Sequence, residues 1–189
     1  MKRLFFALWP DDDTRQRFQK IVRSLRGYGR PVSAMNVHAT LVFLGNLDEA
    51  QQAAMMQAAD NIVVEPMRLM FDRLQYWKKP AVVCLCAEQF DTAVSSLVEQ
   101  LNAAAIQHEI EVDRRPYTPH VTLLRKAKFL PEIAFEPIGW QIDGFCLVES
   151  CSTPAGVEYR VLKRWQSAPA ITIDANQSCS FLSRIAWLN

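Results

Sequence analysis

The sequence predicts an α+β fold built as two pseudo-symmetric lobes, each an antiparallel sheet with helices outside, around a central cleft that carries two His-x-Thr motifs. Three observations predict it. Short apolar runs rich in β-branched residues alternate with segments of helical period, and the later runs follow one another like hairpins. A strand–helix–strand pattern occurs twice. The tetrapeptide His-x-Thr-Leu closes each copy, as His38-Ala39-Thr40-Leu41 and as His120-Val121-Thr122-Leu123, 82 residues apart.

The elements follow in order. Leu4 to Trp9 is an apolar strand. Pro10 and the Asp11-Asp12-Asp13-Thr14 cluster start a helix, because acidic groups favour the positive end of the helix dipole. Its apolar face runs through Phe18, Ile21, Val22 and Leu25 and stops at Gly27-Tyr28-Gly29. Val37 to Leu44 is the first motif strand, and a helix spans Asp48 to Asn61. Strands follow at Met67–Trp77 and Ala81–Cys86, then a helix from Asp91 through Val94, Leu97, Val98 and Leu101 to Ile106. Pro119 to Arg125 is the second motif strand, with two more strands at Gln141–Glu149 and Glu158–Arg164. Residues 1–167 read as one two-lobed domain. Residues 168–189 read as a C-terminal extension that either adds an element around Ile171-Thr172-Ile173 and Phe181-Leu182 or stays loosely ordered.

In a strand, side chains two apart share a face. His38 and Thr40 therefore point one way, and Ala39, Leu41 and Phe43 the other; His120 and Thr122 are set against Val121 and Leu123 in the same manner. The duplication places the two motif strands near a pseudo-twofold axis, facing one cleft. Histidine titrates near neutrality, so a facing pair can act as general acid and general base. Taken singly, such a histidine is more often a half-buried structural group. Two copies in matching strands, holding two of the three histidines of the chain, reverse that balance.

Composition sets outer limits. The 189 residues carry a net charge of +1, which gives no bulk electrostatic case for nucleic acid, although one RNA end needs only a local basic groove. No run of 18 apolar residues occurs, and the opening Met1–Trp9 meets Asp11-Asp12-Asp13 too soon for a signal peptide, so neither a membrane span nor export is expected. The five cysteines are an odd number, and three lie in strand-like runs. Buried free thiols in a cytoplasmic protein are expected, with no metal and no cofactor, because Cys84-x-Cys86 lacks partners at ligand spacing.

On these residues the chain resembles the 2H phosphoesterase superfamily, and within it the bacterial RNA 2′,3′-cyclic phosphodiesterase branch, also called 2′-5′ RNA ligase-like. Arg3-Leu4-Phe5-Phe6-Ala7-Leu8 resembles its opening strand, His38 to Gly45 its first motif block and Pro119 to Arg125 its second. Leu147-Val148-Glu149-Ser150 with Gly156, Tyr159 and Leu162 resembles its closing strand pair. The resemblance implies metal-independent hydrolysis of RNA 2′,3′-cyclic phosphate ends to 2′-phosphates, with His38 as proton donor and His120 as proton acceptor. The symmetry of the motifs by itself allows the reverse assignment. Alternatives that keep the site are 2′-5′ ligation or 2′-5′ phosphodiester cleavage, small cyclic nucleotides as substrate, and an RNA-end binding module without turnover. The expected partner is thus RNA with a cyclic-phosphate end, or a small cyclic or 2′-5′ nucleotide, bound by a monomer.

Around the histidines, Thr40 and Thr122 are expected to hydrogen-bond the nonbridging phosphate oxygens. Arg125 matches an arginine of the second block, but in a regular strand it shares a face with Val121 and Leu123. It reaches phosphate only if the strand twists, ends or bulges there. Trp77, Tyr117 and Tyr159 are candidates for stacking a terminal base, against the commoner use of aromatics in packing. Lys78-Lys79, Arg114-Arg115 and Arg125-Lys126 with Lys128 are candidates for a basic rim. His108, at the end of a helix, has no assigned role.

Overall fold

A computed structural model describes residues 1–154 and 156–167; the expected extension from Ala168 onward lies outside them. Nine strands form one antiparallel sheet: β1 (Lys2–Leu8), β2 (Arg30–Pro31), β3 (Ala39–Leu47), β4 (Met67–Trp77), β5 (Val82–Phe90), β6 (His120–Arg125), β7 (Ile138–Ile142), β8 (Gly144–Thr153) and β9 (Gly156–Gln166). Their order is β7-β4-β5-β6-β3-β1-β8-β9, with β2 beside β6. The two motif strands are therefore central neighbours, touching at Ala39 opposite Val121. One lobe is β3-β1-β8-β9 and the other β6-β5-β4-β7, as the repeat predicts.

Three helices cover one face of the sheet. α1 (Asp12–Ser24) is capped by Asp11, whose carboxylate accepts from the Thr14 N–H at 2.7 Å. α2 (Glu49–Asp60) begins with a reciprocal capping box between Asp48 and Gln51. α3 (Thr92–Gln107) ends at His108, which occupies the C-cap. α1 packs on β6 and β7, while α2 and α3 pack on β3 and on each other. Leu4, Phe6 and Leu8 of β1 and Val83, Leu85 and Ala87 of β5 point into this core. Full burial of each large apolar side chain contributes about 1.5–3 kcal/mol. The alternate residues Phe5, Ala7, Val82, Cys84 and Cys86 are just as buried but line the opposite, cleft face.

Three expectations change. The first motif strand begins at Ala39, so His38 sits one residue before it, after a 3₁₀ turn at Ala34–Asn36. The single strand expected over Gln141–Glu149 is two strands broken at Asp143: Ile142 pairs with Met67 in one lobe and Gly144 with Gln166 in the other. That break carries the chain between lobes, and a Cβ on Gly144 would run into the Trp165 carbonyl. Phe43 leaves the core face. β3 slips register against β1 between Leu4 and Phe5 and between Phe6 and Ala7, and these bulges set Phe43 opposite Phe5, 42% exposed, with the Arg3 guanidinium 4.9 Å from its ring centre.

Candidate active site

The two histidines are anchored alike. His38 Nδ1 lies 2.7 Å from the Asn36 carbonyl, and His120 Nδ1 lies 2.8 Å from the Thr118 carbonyl. A carbonyl only accepts, so in both rings Nδ1 carries the proton and donates it. Nε2 is then the nitrogen left for chemistry.

Their surroundings differ. The His38 ring is walled by aromatics: Trp9 stacks on it at 5.8 Å and 17°, Phe5 lies at 5.0 Å and Tyr159 edge-on at 4.9 Å. Its Nε2 accepts from the Thr40 hydroxyl at 3.1 Å. Among the described residues His120 has one aromatic neighbour, Trp77, at 4.4 Å, and the Thr122 hydroxyl turns instead toward Cys84 Sγ at 3.7 Å. Burial pushes the His38 pKa down to about 4, helped by the positive charges of His120 and Arg125 and opposed by the Asn36 hydrogen bond. Burial also lowers His120, against the Thr118 hydrogen bond. Both imidazoles are thus biased toward the neutral form, His38 the more strongly.

Arg125 joins the site through a bulge. β6 pairs with β5 as Cys84–Thr122 and then Val83–Leu124, leaving Leu123 as the extra residue. Arg125 then stands opposite Val82, on the face of Cys84, Cys86 and Trp77. The bulge answers the objection raised by regular alternation. Phe43 holds the corresponding place in the other motif strand.

The remaining candidates fall in different places. Tyr159 and Trp77 touch the imidazoles edge-on or tilted. Tyr117 packs against the core, and its hydroxyl donates to the Thr40 carbonyl at 3.0 Å, tying the approach to β6 onto β3. Arg115 forks onto Asp113 in an exposed loop, and Lys78-Lys79 form the turn between β4 and β5. Sequence reasoning missed Phe5 and Trp9 as walls of the His38 site. Their signal was the strand period, which puts Phe5, Ala7 and Trp9 on one face of β1 and its continuation. A cavity of about 990 Å³ lies apart from the histidines, near the β7–β8 link, and shares only Trp9 with the His38 wall. Among the described residues no group of three or more His, Cys, Asp or Glu side chains is placed to hold a metal ion.

Taken together, the cleft can accept a proton at one Nε2 and deliver one from the other. The Thr40 and Thr122 hydroxyls and the Arg125 guanidinium share the cleft face with them, which suits a phosphodiester. The family model of the 2′-5′ RNA ligase superfamily matches residues 10–152. An RNA 2′,3′-cyclic phosphodiesterase of Escherichia coli (strain K12) is 30% identical over 168 residues, covering 87% of this chain and 96% of that protein. One from Thermotoga maritima is 28% identical over 179 residues, covering 87% and 95%. The crystal structure of E. coli LigT in apo form superposes with a TM-score of 0.79 at 28% identity, over 89% of this chain and 98% of that one. The LigT complex with 3′-AMP gives 0.80 at 28% identity, over 89% and 99%.

Proposed function

The chain belongs to the 2′-5′ RNA ligase superfamily, and from that premise we propose that it hydrolyses RNA 2′,3′-cyclic phosphate ends to 2′-phosphates. The observation that carries this reading is the matched pair of Nδ1-anchored histidines, His38 and His120, on adjacent central strands. Relatives named as RNA 2′,3′-cyclic phosphodiesterases, and a LigT neighbour holding 3′-AMP, support the substrate class.

In the proposed reaction His120 Nε2 takes a proton from water as its oxygen attacks phosphorus. The bond from phosphorus to O3′ breaks, and protonated His38 delivers its Nε2 proton to O3′. The products are a 2′-phosphate and a free 3′-hydroxyl. Thr40 and Thr122 donate to the nonbridging oxygens; for Thr40 this means leaving the His38 Nε2, which frees that nitrogen. The negative phosphate raises the pKa of both imidazoles, offsetting their burial and letting His38 carry its proton. Arg125 adds a fixed positive charge beside the group.

With a 5′-hydroxyl in place of water, the same two imidazoles form a 2′-5′ linkage, the reaction named in the description of the family. A single chain supplies both histidines, so a monomer suffices. The four described cysteines, Cys84, Cys86, Cys146 and Cys151, are free thiols, which fits a reducing cytoplasm.

The test is incubation with an oligoribonucleotide ending in a 2′,3′-cyclic phosphate, in excess chelator, resolving 2′- from 3′-phosphate products. A 2′-phosphate product that disappears in His38→Ala and in His120→Ala upholds the reading. A 3′-phosphate product, or full activity in either variant, overturns it.

A further inference from the structure

Arg125 adjoins Gly29 and Arg30, residues the reaction does not require. Arg30 of β2 stands directly opposite Arg125 of β6. Like charges in directly opposed strand positions destabilise a sheet, so the pair calls for an anion. Arg30, Arg125, Lys126 and Lys128 form no ion pair with any described residue. The chain turns sharply at Lys126, whose φ of 54° is unfavourable for lysine, and Ala127 is buried behind it.

Next to these cations stands an exposed aromatic pair. Tyr28 and Phe129 meet edge to face at 5.6 Å and 88°, yet are 37% and 55% exposed. They are held together by close backbone packing: a Cβ on Gly29 would lie 2.9 Å from the Arg125 carbonyl oxygen. Cations tracking a backbone beside aromatic faces are what single-stranded nucleic acid requires.

We propose that this surface binds the RNA immediately 5′ of the cyclic-phosphate end. Arg30 binds the phosphate joining the last two nucleotides, next to Arg125 on the cyclic phosphate, and the Tyr28–Phe129 pair stacks the penultimate base. The substrate class is then an RNA chain, in preference to a free cyclic nucleotide. This rests on the phosphodiesterase reading above.

The experiment compares kcat/KM for a nucleoside 2′,3′-cyclic monophosphate with that for a trinucleotide ending in the same group, in wild type, Tyr28→Ala/Phe129→Ala and Arg30→Gln. Wild type is expected to favour the trinucleotide. Loss of the aromatic pair should cut the trinucleotide-to-monomer ratio about tenfold or more, the worth of one stacked base. Arg30→Gln should lower the salt dependence of trinucleotide KM by about one phosphate contact. Both aromatics are exposed, so the fold tolerates their removal. An unchanged ratio in both variants overturns the proposal. If wild type hydrolyses neither substrate, the phosphodiesterase reading fails, and anisotropy titration with a 3′-phosphorylated trinucleotide decides this one separately. Weaker binding in both variants upholds it; no binding, or equal binding, overturns it.

Discussion

His38 and His120 are locked in the same tautomer by the same bond, each Nδ1 donating to the carbonyl two residues earlier, Asn36 at 2.7 Å and Thr118 at 2.8 Å. Two nitrogens prepared alike act as one unit. Each single alanine substitution should lower kcat by roughly 10²–10⁴, the range for general acid or base catalysis. The double variant should fall little further, because a lone partner cannot complete the transfer. Single-turnover rates on a cyclic-phosphate oligonucleotide measure this. Multiplicative losses would mean that the rings act independently.

Activity should depend on pH in a characteristic way. Burial holds both imidazoles below the usual 6.5, His38 at about 4. Since kcat/KM reports the free enzyme, its optimum should lie on the acid side of neutrality, while kcat, set in the complex with an anion, should peak at higher pH. Arg125→Ala removes one of the charges that depress His38 and should move the acid limb of kcat/KM upward. A kcat/KM that rises steadily through pH 7 would contradict the depressed values.

The same displacement governs stability. Between about pH 4 and 6.5 the unfolded chain binds a proton at His38 that the native state refuses. Stability is therefore full above that window and declines as pH falls through it. Thermal melts should show the decline, and His38→Gln should flatten it. Identical slopes in wild type and variant would assign the acid sensitivity elsewhere.

Tyr117→Phe should cost about 0.5–1.5 kcal/mol, the net worth of its bond to the Thr40 carbonyl. Because that bond ties the approach to the second motif strand onto the first, kcat should fall severalfold as well. Melting and turnover together check this; a stability loss with unchanged kcat would make the contact purely structural.

Thiol chemistry should be silent in the cleft. Burial pushes Cys84 up to about 11, Cys86 to about 12 and Cys146 to about 11. Little thiolate exists at neutral pH, so iodoacetamide should label the partly exposed Cys151 well before these three in the native protein. Peptide mapping reads it. Prompt labelling of Cys84 would show that the cleft opens far more than its packing implies.

The parts legible in the sequence were those with a strong local signal. The acidic cluster Asp11-Asp12-Asp13 marked the start of α1, the helical period located α1 and α3, and the repeated tetrapeptide located both imidazoles and their hydroxyls. What stayed hidden depends on pairing between distant strands. Leu123 has no sequence mark of a bulge, because only its partner β5 decides which residue is left unpaired. Alternation therefore misplaced Phe43 and left Arg125 without a route to the cleft. The break at Asp143 was hidden for a similar reason: apolar residues continue on both sides of it, although they serve different lobes.

The crossing at Asp143 has a consequence for synthesis. The lobe bearing His120 is contiguous, from β4 to β7, and all its strands have left the ribosome once Ile142 has. The lobe bearing His38 joins β1 and β3 to β8 and β9. Until Gly144–Gln166 emerges, β1 has no neighbour on its outer side, and Phe5 lacks Val148 and Tyr159. A nascent chain therefore has His120 in a complete lobe before His38 has one, and the two histidines share a finished sheet only when the β8–β9 hairpin closes over β1.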